Sequence, residues 1–296
     1  MTINAAVIGC GKRFREFYLD PLLQLKKENK INLTLLYNRN IENKSDLESI
    51  FECKLTDNLD DVILNKDINL VILTLPDNLR KKIFSNIDFN PKFLLSETRF
   101  TYNLSDFYKY KKILQKKSIN FEIVENKFFY PYPEFKDLNL SKIISFNKWW
   151  EHHALSFLFS VVNKDLGKLN NISFKEHTRL EIFKINFSKI SFLYIFSKDK
   201  KNVDKKKGRI KIYDSSQRIV KFEETIINSN DNKKAVYQSI TNLINLQNDK
   251  MYSKNYLELE NIIMSLMKLM RKLKIKKINN IQIFFLEILF KLRSFF

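Results

Sequence analysis

The sequence has 296 residues, of which 44% are hydrophobic and 14% aromatic, and it carries a formal net charge of +19. This apolar content is enough to fill one large or two ordinary domain cores, and it excludes a wholly disordered chain. Only 4 glycines and 5 prolines are present, which excludes the collagen-like and low-complexity classes. The positive charge is compatible with nucleic acid, a membrane surface or an anionic metabolite as partner, and a lysine-rich composition by itself also produces it.

Cysteines and targeting signals indicate a reducing compartment. Cys10 and Cys53 are the two cysteines, too few for a disulfide framework and without the spacing of metal ligands. Residues 1–8 lack the positive leader and the small-residue cleavage site of a signal peptide, and they are typical of a first strand. We therefore expect a cytoplasmic protein without a bound metal.

Strand and helix patterns alternate over the first third of the chain. Apolar runs predict strands at 3–8, 31–37, 69–73, 93–95 and 121–124, and helical spacing predicts helices at 14–25, 45–51, 78–84 and 105–116. Strands that are apolar throughout and alternate with helices indicate a parallel sheet covered on both faces. Residues 1–130 are therefore predicted to form an α/β domain.

The pattern changes after Pro133. A strand is predicted at 143–146 and an apolar helix at 149–162, and from Leu169 to Lys221 apolar residues recur at every second position. Such runs, joined by polar turns, favour an open antiparallel sheet, and helices are predicted at 234–246 and 256–273. Residues 131–277 are thus expected to form an α+β substrate and oligomerisation domain. The apolar segment 278–296, which follows a basic cluster, is expected to be a C-terminal helix.

Half of the glycines lie in Gly9-Cys10-Gly11, where the first strand gives way to the first helix. A glycine pair at this junction lets the main chain turn tightly and approach a pyrophosphate, whose charge is met by the N–H groups of the helix N-terminus. Phe14 replaces the third glycine of the usual fingerprint. The motif favours a nucleotide-binding domain of the Rossmann type, and an ordinary tight turn between strand and helix is the alternative.

The end of the second strand carries Asn38-Arg39 and no acidic residue. An acidic side chain there would bind a ribose diol, whereas an arginine pairs with a 2′-phosphate through charge-assisted hydrogen bonds. The pattern favours NADP over NAD as cofactor, with a solvated loop arginine as the alternative interpretation.

Successive motifs resemble those of one oxidoreductase family. Gly9-Cys10-Gly11, Asn38-Arg39, Val71 to Pro76, Leu94 to Glu97 and Val124 to Asn126 are similar, in order and spacing, to the landmarks of the glucose-fructose oxidoreductase and inositol dehydrogenase family (Gfo/Idh/MocA). The resemblance covers residues 1 to about 133 well and the rest more loosely. It implies an NAD(P)-dependent oxidoreductase whose second domain is an open antiparallel sheet that closes the substrate site.

Carried onto this sequence, the resemblance implies a cofactor site at the carboxyl end of the first sheet. The cofactor-binding residues are expected to be Gly9, Gly11, Lys12, Arg13, Phe14, Asn38, Arg39, Thr74, Leu75, Pro76 and Glu97. Arg99, Asn126 and His152 are the expected substrate contacts.

The chain departs from the family where a lysine normally assists proton transfer. The Glu-Lys-Pro element is replaced by Glu97-Thr98-Arg99. A threonine hydroxyl does not act as an acid or base at neutral pH, and an arginine stays protonated. The sequence therefore disfavours ordinary sugar-alcohol dehydrogenation.

Lysine loss also occurs in relatives that reduce unsaturated centres. The segments Phe14 to Leu19 and Phe129 to Pro131 resemble thiazolinyl imine reductase, with biliverdin reductase as a further parallel. This resemblance implies Tyr130 as the general acid and His153 as a histidine near the nicotinamide. The alternative for Tyr130 is packing at a proline turn.

The basic segments and the tail leave partners open. Basic residues cluster at 198–209 and 271–277, and neither cluster has the interleaved aromatics of a single-strand nucleic-acid groove, so nucleic acid is not the expected partner. The segment 278–296 is expected to cover a sheet or another subunit, or to make peripheral membrane contact.

We expect a small-molecule substrate and a homo-oligomer formed through the antiparallel sheet. The competing hypothesis is a non-catalytic nucleotide-binding or assembly protein on the same fold.

Overall fold

The computed structural model divides the chain into two compact units. The first comprises Met1–Asn126 and Ser229–Asn261, and the second comprises Lys127–Asn228 and Ile262–Phe296. The described residues are 2–42, 44–98, 100–101, 103–124, 140–147, 155–156, 158, 168–178, 180–197, 207–226, 229–245, 250–276 and 280–282.

The first unit is built on a six-stranded parallel sheet. Its strands are β1 Ile3–Ile8, β2 Ile31–Tyr37, β3 Lys54–Thr56, β4 Leu70–Leu73, β5 Phe93–Glu97 and β6 Asn120–Val124, in the spatial order β3-β2-β1-β4-β5-β6. The order reverses between β1 and β4, as in a doubly wound dinucleotide-binding sheet. The predicted Rossmann-type fold is confirmed.

Helices cover this sheet because its inner strands carry buried side chains on both faces. They are α1 Lys12–Phe17, α2 Leu19–Lys27, α3 Ser45–Phe51, α4 Asp60–Ile63, α5 Asp77–Ser85 and α6 Leu104–Lys116, followed much later by α7 Ser229–Asn245. Every residue of β4 and β5 is buried. The single helix expected after β1 is divided at Tyr18, which ends α1 and precedes α2.

Helix α7 returns to the first unit, although the sequence assigned it to a continuous second domain at 131–277. It contacts β5, β6, α1 and α2. Tyr237 donates to Glu28 at 2.6 Å and accepts from Lys30 at 2.7 Å, and Lys233 pairs with Asp20 at 2.5 Å. The helical period in the sequence shows that one face of α7 is apolar, but it does not show which sheet that face covers. In the structure, α7 packs on the first sheet although it follows the strands of the second sheet in the chain.

The second unit contains a seven-stranded sheet. Its strands are β7 Leu140–Asn147, β8 Leu169–Glu176, β9 Leu180–Phe187, β10 Ser191–Ser197, β11 Lys207–Asp214, β12 Ile219–Ile226 and β13 Asn280–Gln282, in the order β12-β11-β7-β10-β9-β8-β13. Neighbouring strands are antiparallel except β7 and β10, which are parallel. The sheet is therefore mixed, not antiparallel throughout. A short turn after β7 would require an antiparallel neighbour, whereas the long connection that follows β7 allows it to pair in parallel with β10.

One face of this sheet forms the core of the second unit. Alternate side chains on β8, β9 and β10 are buried, namely Ile172, Phe174, Phe183, Ile185, Phe192 and Tyr194. Helix α8 Lys250–Lys276 begins in the first unit, and its part from Ile262 onward belongs to the second unit. Near its C-terminal end, Lys274 binds Glu181 of β9 at 2.8 Å. Along α8, Ile263, Leu266, Met267, Met270 and Leu273 are buried as well.

The tail begins with a strand where the sequence predicted a helix from residue 278. Asn280–Gln282 pairs antiparallel with β8, because the polar-apolar-polar run fits a sheet edge and its carbonyls gain partners there. Residues 283–296 lie outside the described residues, so their expected helix and membrane contact stay predictions. Among the described helices, none combines the length and apolarity required to cross a bilayer.

Candidate dinucleotide site

Gly9 follows β1 directly, at the carboxyl edge of the sheet and beside the point where the strand order reverses. Its φ is +109°, and its N–H donates to the carbonyl of Tyr37 at 2.8 Å. A Cβ at this position would lie 2.8 Å from Leu75 Cδ2 and 2.9 Å from Thr74 Oγ1. Both the backbone conformation and the packing therefore require glycine.

Gly11 differs from Gly9 because nothing within the described structure excludes a side chain there. It precedes α1 as its N-cap with φ −82°, and a Cβ would meet no atom within 4 Å. Among the described residues, no side chain caps this helix. Open space in front of an uncapped helix N-terminus is where a pyrophosphate binds, so these residues fit a dinucleotide.

Asn38 and Thr74 brace the glycine turn from its two sides. The Asn38 side-chain oxygen accepts from the Cys10 N–H at 3.0 Å, and the Thr74 hydroxyl donates to the Gly9 carbonyl. Two of the residues expected to bind cofactor thus hold the shape of the turn. Arg39 follows Asn38 and is exposed, and within the described part of the chain it forms no hydrogen bond or ion pair.

Glu97, at the end of β5, is bound by two side chains of the first helical segment. One of its oxygens accepts from the Tyr18 hydroxyl at 2.5 Å and the other from Arg13 at 2.9 Å. The Arg13 guanidinium also lies 4.6 Å from the ring centre of Phe17. Burial, reinforced by the neighbouring Glu97 charge, raises the pKa of Tyr18 well above its ordinary value, so this hydroxyl remains a proton donor to the carboxylate.

Lys12 and Phe14, the other two candidates on α1, have different environments. The Phe14 side chain is fully buried and packs against Phe51, with ring centres 6.1 Å apart. It is a core residue, which leaves its main-chain N–H as the group able to face a ligand. Lys12 is 87% exposed and pairs with Glu16 at 3.6 Å.

Thr98 stands where the resembled family has its lysine, and its hydroxyl is hydrogen-bonded to the main chain. The Thr98 hydroxyl donates to the carbonyl of Val124, at the end of the neighbouring strand β6. Pro76 is the N-cap of α5 and follows the half-buried Leu75. The remaining candidates, Arg99, Asn126, Tyr130, His152 and His153, lie outside the described residues and stay predictions.

Arg80, on α5, is a site residue that the sequence did not indicate. It is 3% exposed and donates to the main-chain carbonyls of Leu75 at 2.8 Å, Phe100 at 2.9 Å and Glu97 at 3.2 Å. An arginine in a short amphipathic helix is typical of the solvated face, so no local pattern distinguished it.

The two cysteines are unsuited to act as nucleophiles. Burial raises the pKa of the Cys10 thiol to about 12 and that of Cys53 to about 11, which keeps both protonated near neutral pH. In the parts of the chain that the structure describes, no three His, Cys, Asp or Glu residues are grouped as metal ligands.

Comparison with known proteins agrees with this geometry. The family profile described as "Oxidoreductase family, NAD-binding Rossmann fold", Gfo/Idh/MocA, matches residues 3–123. Over residues 3–123, the chain is therefore similar to the Gfo/Idh/MocA oxidoreductase family. The matched segment contains the glycine turn, Arg39, Thr74 and Glu97, and the profile describes an NAD-binding Rossmann fold.

Solved structures share the architecture across nearly the whole chain. A myo-inositol dehydrogenase from Corynebacterium glutamicum is 11% identical with a TM-score of 0.72, covering 96% of this chain and 99% of its own. The WlbA dehydrogenase from Bordetella pertussis, in complex with NADH and UDP-GlcNAcA, is 11% identical with a TM-score of 0.70, covering 96% and 99%. A super-repressor mutant of Gal80p from Saccharomyces cerevisiae is 12% identical with a TM-score of 0.70, covering 95% and 98%. Curated protein sequences give no match. At these identities, the solved structures establish the fold that this chain shares with them.

Proposed function

We propose that this protein is an NADP(H)-dependent reductase of a small metabolite of imine, keto or sugar type. The observation that carries the proposal is the contrast between the two turn glycines. Packing and a positive φ require Gly9, whereas Gly11 faces open space at an uncapped helix N-terminus. A ligand whose phosphates approach the main chain closely explains why this sequence, with only 4 glycines, keeps one at position 11.

The preference for NADP over NAD rests on the end of β2. Arg39 is exposed, and in the described part of the chain no acidic side chain neutralises it. The side-chain oxygen of the preceding residue, Asn38, already accepts a hydrogen bond from the Cys10 N–H at 3.0 Å. A planar guanidinium pairs well with a 2′-phosphate. An NAD-binding site would instead have an acidic side chain that binds the ribose diol, and the described residues that end β2 include none.

The chain's own residues divide the chemistry between orientation and proton delivery. A bound nicotinamide supplies the hydride. The Arg13–Glu97–Tyr18 network orients the segment after β5, and Thr98 ties that segment to β6. Because Thr98 cannot deliver a proton, we propose Tyr130 as the general acid and His153 as its neighbour, with Arg99, Asn126 and His152 as substrate contacts.

A non-catalytic nucleotide-binding or assembly protein is the second candidate. It is favoured by the commitment of the Thr98 hydroxyl to Val124, at the position where the family's lysine assists proton transfer. Structural similarity to Gal80p, a repressor, is compatible with this alternative. It predicts dinucleotide binding without oxidation or reduction of the nicotinamide by any carbonyl or imine substrate, which a screen of NADPH consumption measures.

Cofactor titration tests the proposed function directly. Fluorescence titration of the purified protein is expected to give tighter binding of NADPH than of NADH, and Arg39→Ser is expected to remove that preference, weakening NADPH about tenfold or more. Arg218→Ser is the matched control, because Arg218 is 79% exposed and belongs to the second unit. Folded protein that binds neither dinucleotide would overturn the proposal.

We also propose that copies of the chain associate through the second-unit sheet. The sheet face opposite the core carries half-buried Ile182 and Leu193. Light scattering of the purified protein tests this, and Leu193→Lys is expected to shift the mass toward the monomer.

A further inference from the structure

Arg80 is a buried cation whose guanidinium donates to three main-chain carbonyls. Its Nε donates to Leu75 at 2.8 Å, and one terminal nitrogen donates to Glu97 at 3.2 Å and Phe100 at 2.9 Å. The side chain is 3% exposed. A buried guanidinium is retained only where its hydrogen bonds are satisfied, so these contacts fix its position.

The carbonyls that Arg80 binds belong to two separate segments of one site. Leu75 lies in the segment after β4, whereas Glu97 is the last residue of β5 and Phe100 follows it closely. Strands β4 and β5 lie on one side of β1 in the sheet, and β2, which is followed by Arg39, lies on the other side. A dinucleotide crosses a doubly wound sheet at this reversal of strand order, so its nicotinamide half lies over β4 and β5 when its adenosine half lies over β2.

We propose that Arg80 is a positioning residue for the nicotinamide half of the dinucleotide. This inference rests on the proposed function. By joining the two segments through its planar fork, Arg80 sets the distance between Thr74 and the Glu97–Thr98 step. A lysine in its place would keep the charge but has no rigid fork with which to hold two separate segments at once.

The same unit contains a matched control at its opposite edge. Lys117 donates to the carbonyls of Asn86 at 3.4 Å, Ile87 at 2.8 Å and Phe89 at 2.6 Å. That segment precedes β5 and so lies at the amino edge of the sheet. Lys117→Met therefore removes a cation from three main-chain carbonyls without touching the proposed nicotinamide side.

The experiment compares two ligands that differ only in nicotinamide. Calorimetric titration with NADPH and with 2′-phospho-ADP-ribose is carried out on wild type, Arg80→Lys, Arg80→Ala and Lys117→Met. Arg80→Lys is expected to weaken NADPH about tenfold or more while leaving 2′-phospho-ADP-ribose within about twofold. In Arg80→Ala, added guanidinium is expected to restore NADPH affinity and methylammonium is not. Lys117→Met is expected to change neither affinity.

Each other outcome opposes the proposal. Equal weakening of both ligands in Arg80→Lys, or of neither, overturns the positioning role. Loss of folding in both Arg80 variants, while Lys117→Met folds, assigns Arg80 to stability alone and also overturns it. Wild-type protein that binds neither ligand overturns the proposed function itself, a result distinct from any change confined to the Arg80 variants.

Discussion

Replacing each turn glycine by alanine separates the requirements of the fold from those of the ligand. Gly9→Ala adds a Cβ at 2.8 Å from Leu75 Cδ2 and 2.9 Å from Thr74 Oγ1, on a backbone with φ +109°. Thr74 cannot move away without losing its hydrogen bond to the Gly9 carbonyl. Gly11→Ala adds a Cβ that meets no atom within 4 Å.

The two substitutions therefore differ in their expected cost. At Gly9, the strained backbone costs about 1–3 kcal/mol and overpacking about as much again, so we expect a loss of ~2–6 kcal/mol. This is a large part of the ~5–15 kcal/mol that stabilises an ordinary domain. At Gly11, φ −82° suits alanine, and we expect a change within about 1 kcal/mol.

Urea unfolding and NADPH titration of both variants provide the assay. Gly9→Ala is expected to unfold at a lower urea concentration. Gly11→Ala is expected to unfold like wild type but to bind NADPH about tenfold more weakly, because its Cβ occupies space that the pyrophosphate needs. A Gly11→Ala variant with wild-type affinity, or a Gly9→Ala variant with wild-type stability, would contradict the roles assigned to these two glycines.

Three further predictions concern buried and proposed catalytic groups. Burial raises the pKa of Glu122 well above 4.5, so the folded state favours the neutral carboxyl and wild-type stability falls as pH rises above the unfolded-state pKa. Glu122→Gln does not titrate, so its stability relative to wild type is expected to increase by up to about 1.4 kcal/mol per pH unit above that point. A constant difference between the two proteins from pH 4 to 8 in urea unfolding would contradict this. Tyr18→Phe removes the 2.5 Å hydrogen bond to buried Glu97 and is expected to cost ~1–3 kcal/mol in the same assay, whereas Tyr108→Phe, 45% exposed on α6, should cost nothing measurable. Tyr130→Phe is expected to lower NADPH-dependent turnover about 10²-fold or more while leaving NADPH affinity unchanged, and wild-type turnover would remove Tyr130 as the acid.

The N-terminal part of the first unit, Met1–Asn126, was predictable in detail because its signals are local. Apolar runs and helical spacing placed most of its strands and helices. The short strand Lys54–Thr56 and helix Asp60–Ile63 were missed, since a few residues carry no periodicity. Tyr18 was recognised only as part of an apolar face, because a buried hydroxyl and a buried ring give the same pattern.

The candidate site was predictable at the glycine turn and less so around it. Asn38 and Thr74 were expected to bind cofactor, but their roles as braces of the turn depend on contacts 28 and 65 residues away in sequence. The parallel pairing of β7 with β10 likewise depends on a long connection whose route no local pattern encodes.

By itself, the sequence determined the alternation of strands and helices, the glycine turn and the absence of the family's lysine, because each is a property of neighbouring residues. Tertiary structure alone decided that Gly9 is required by packing while Gly11 is not, that α7 returns to the first sheet, and that Arg80 joins two distant segments. These features arise where residues far apart in the chain meet, and the free energy of such contacts depends on distances that a linear pattern does not contain.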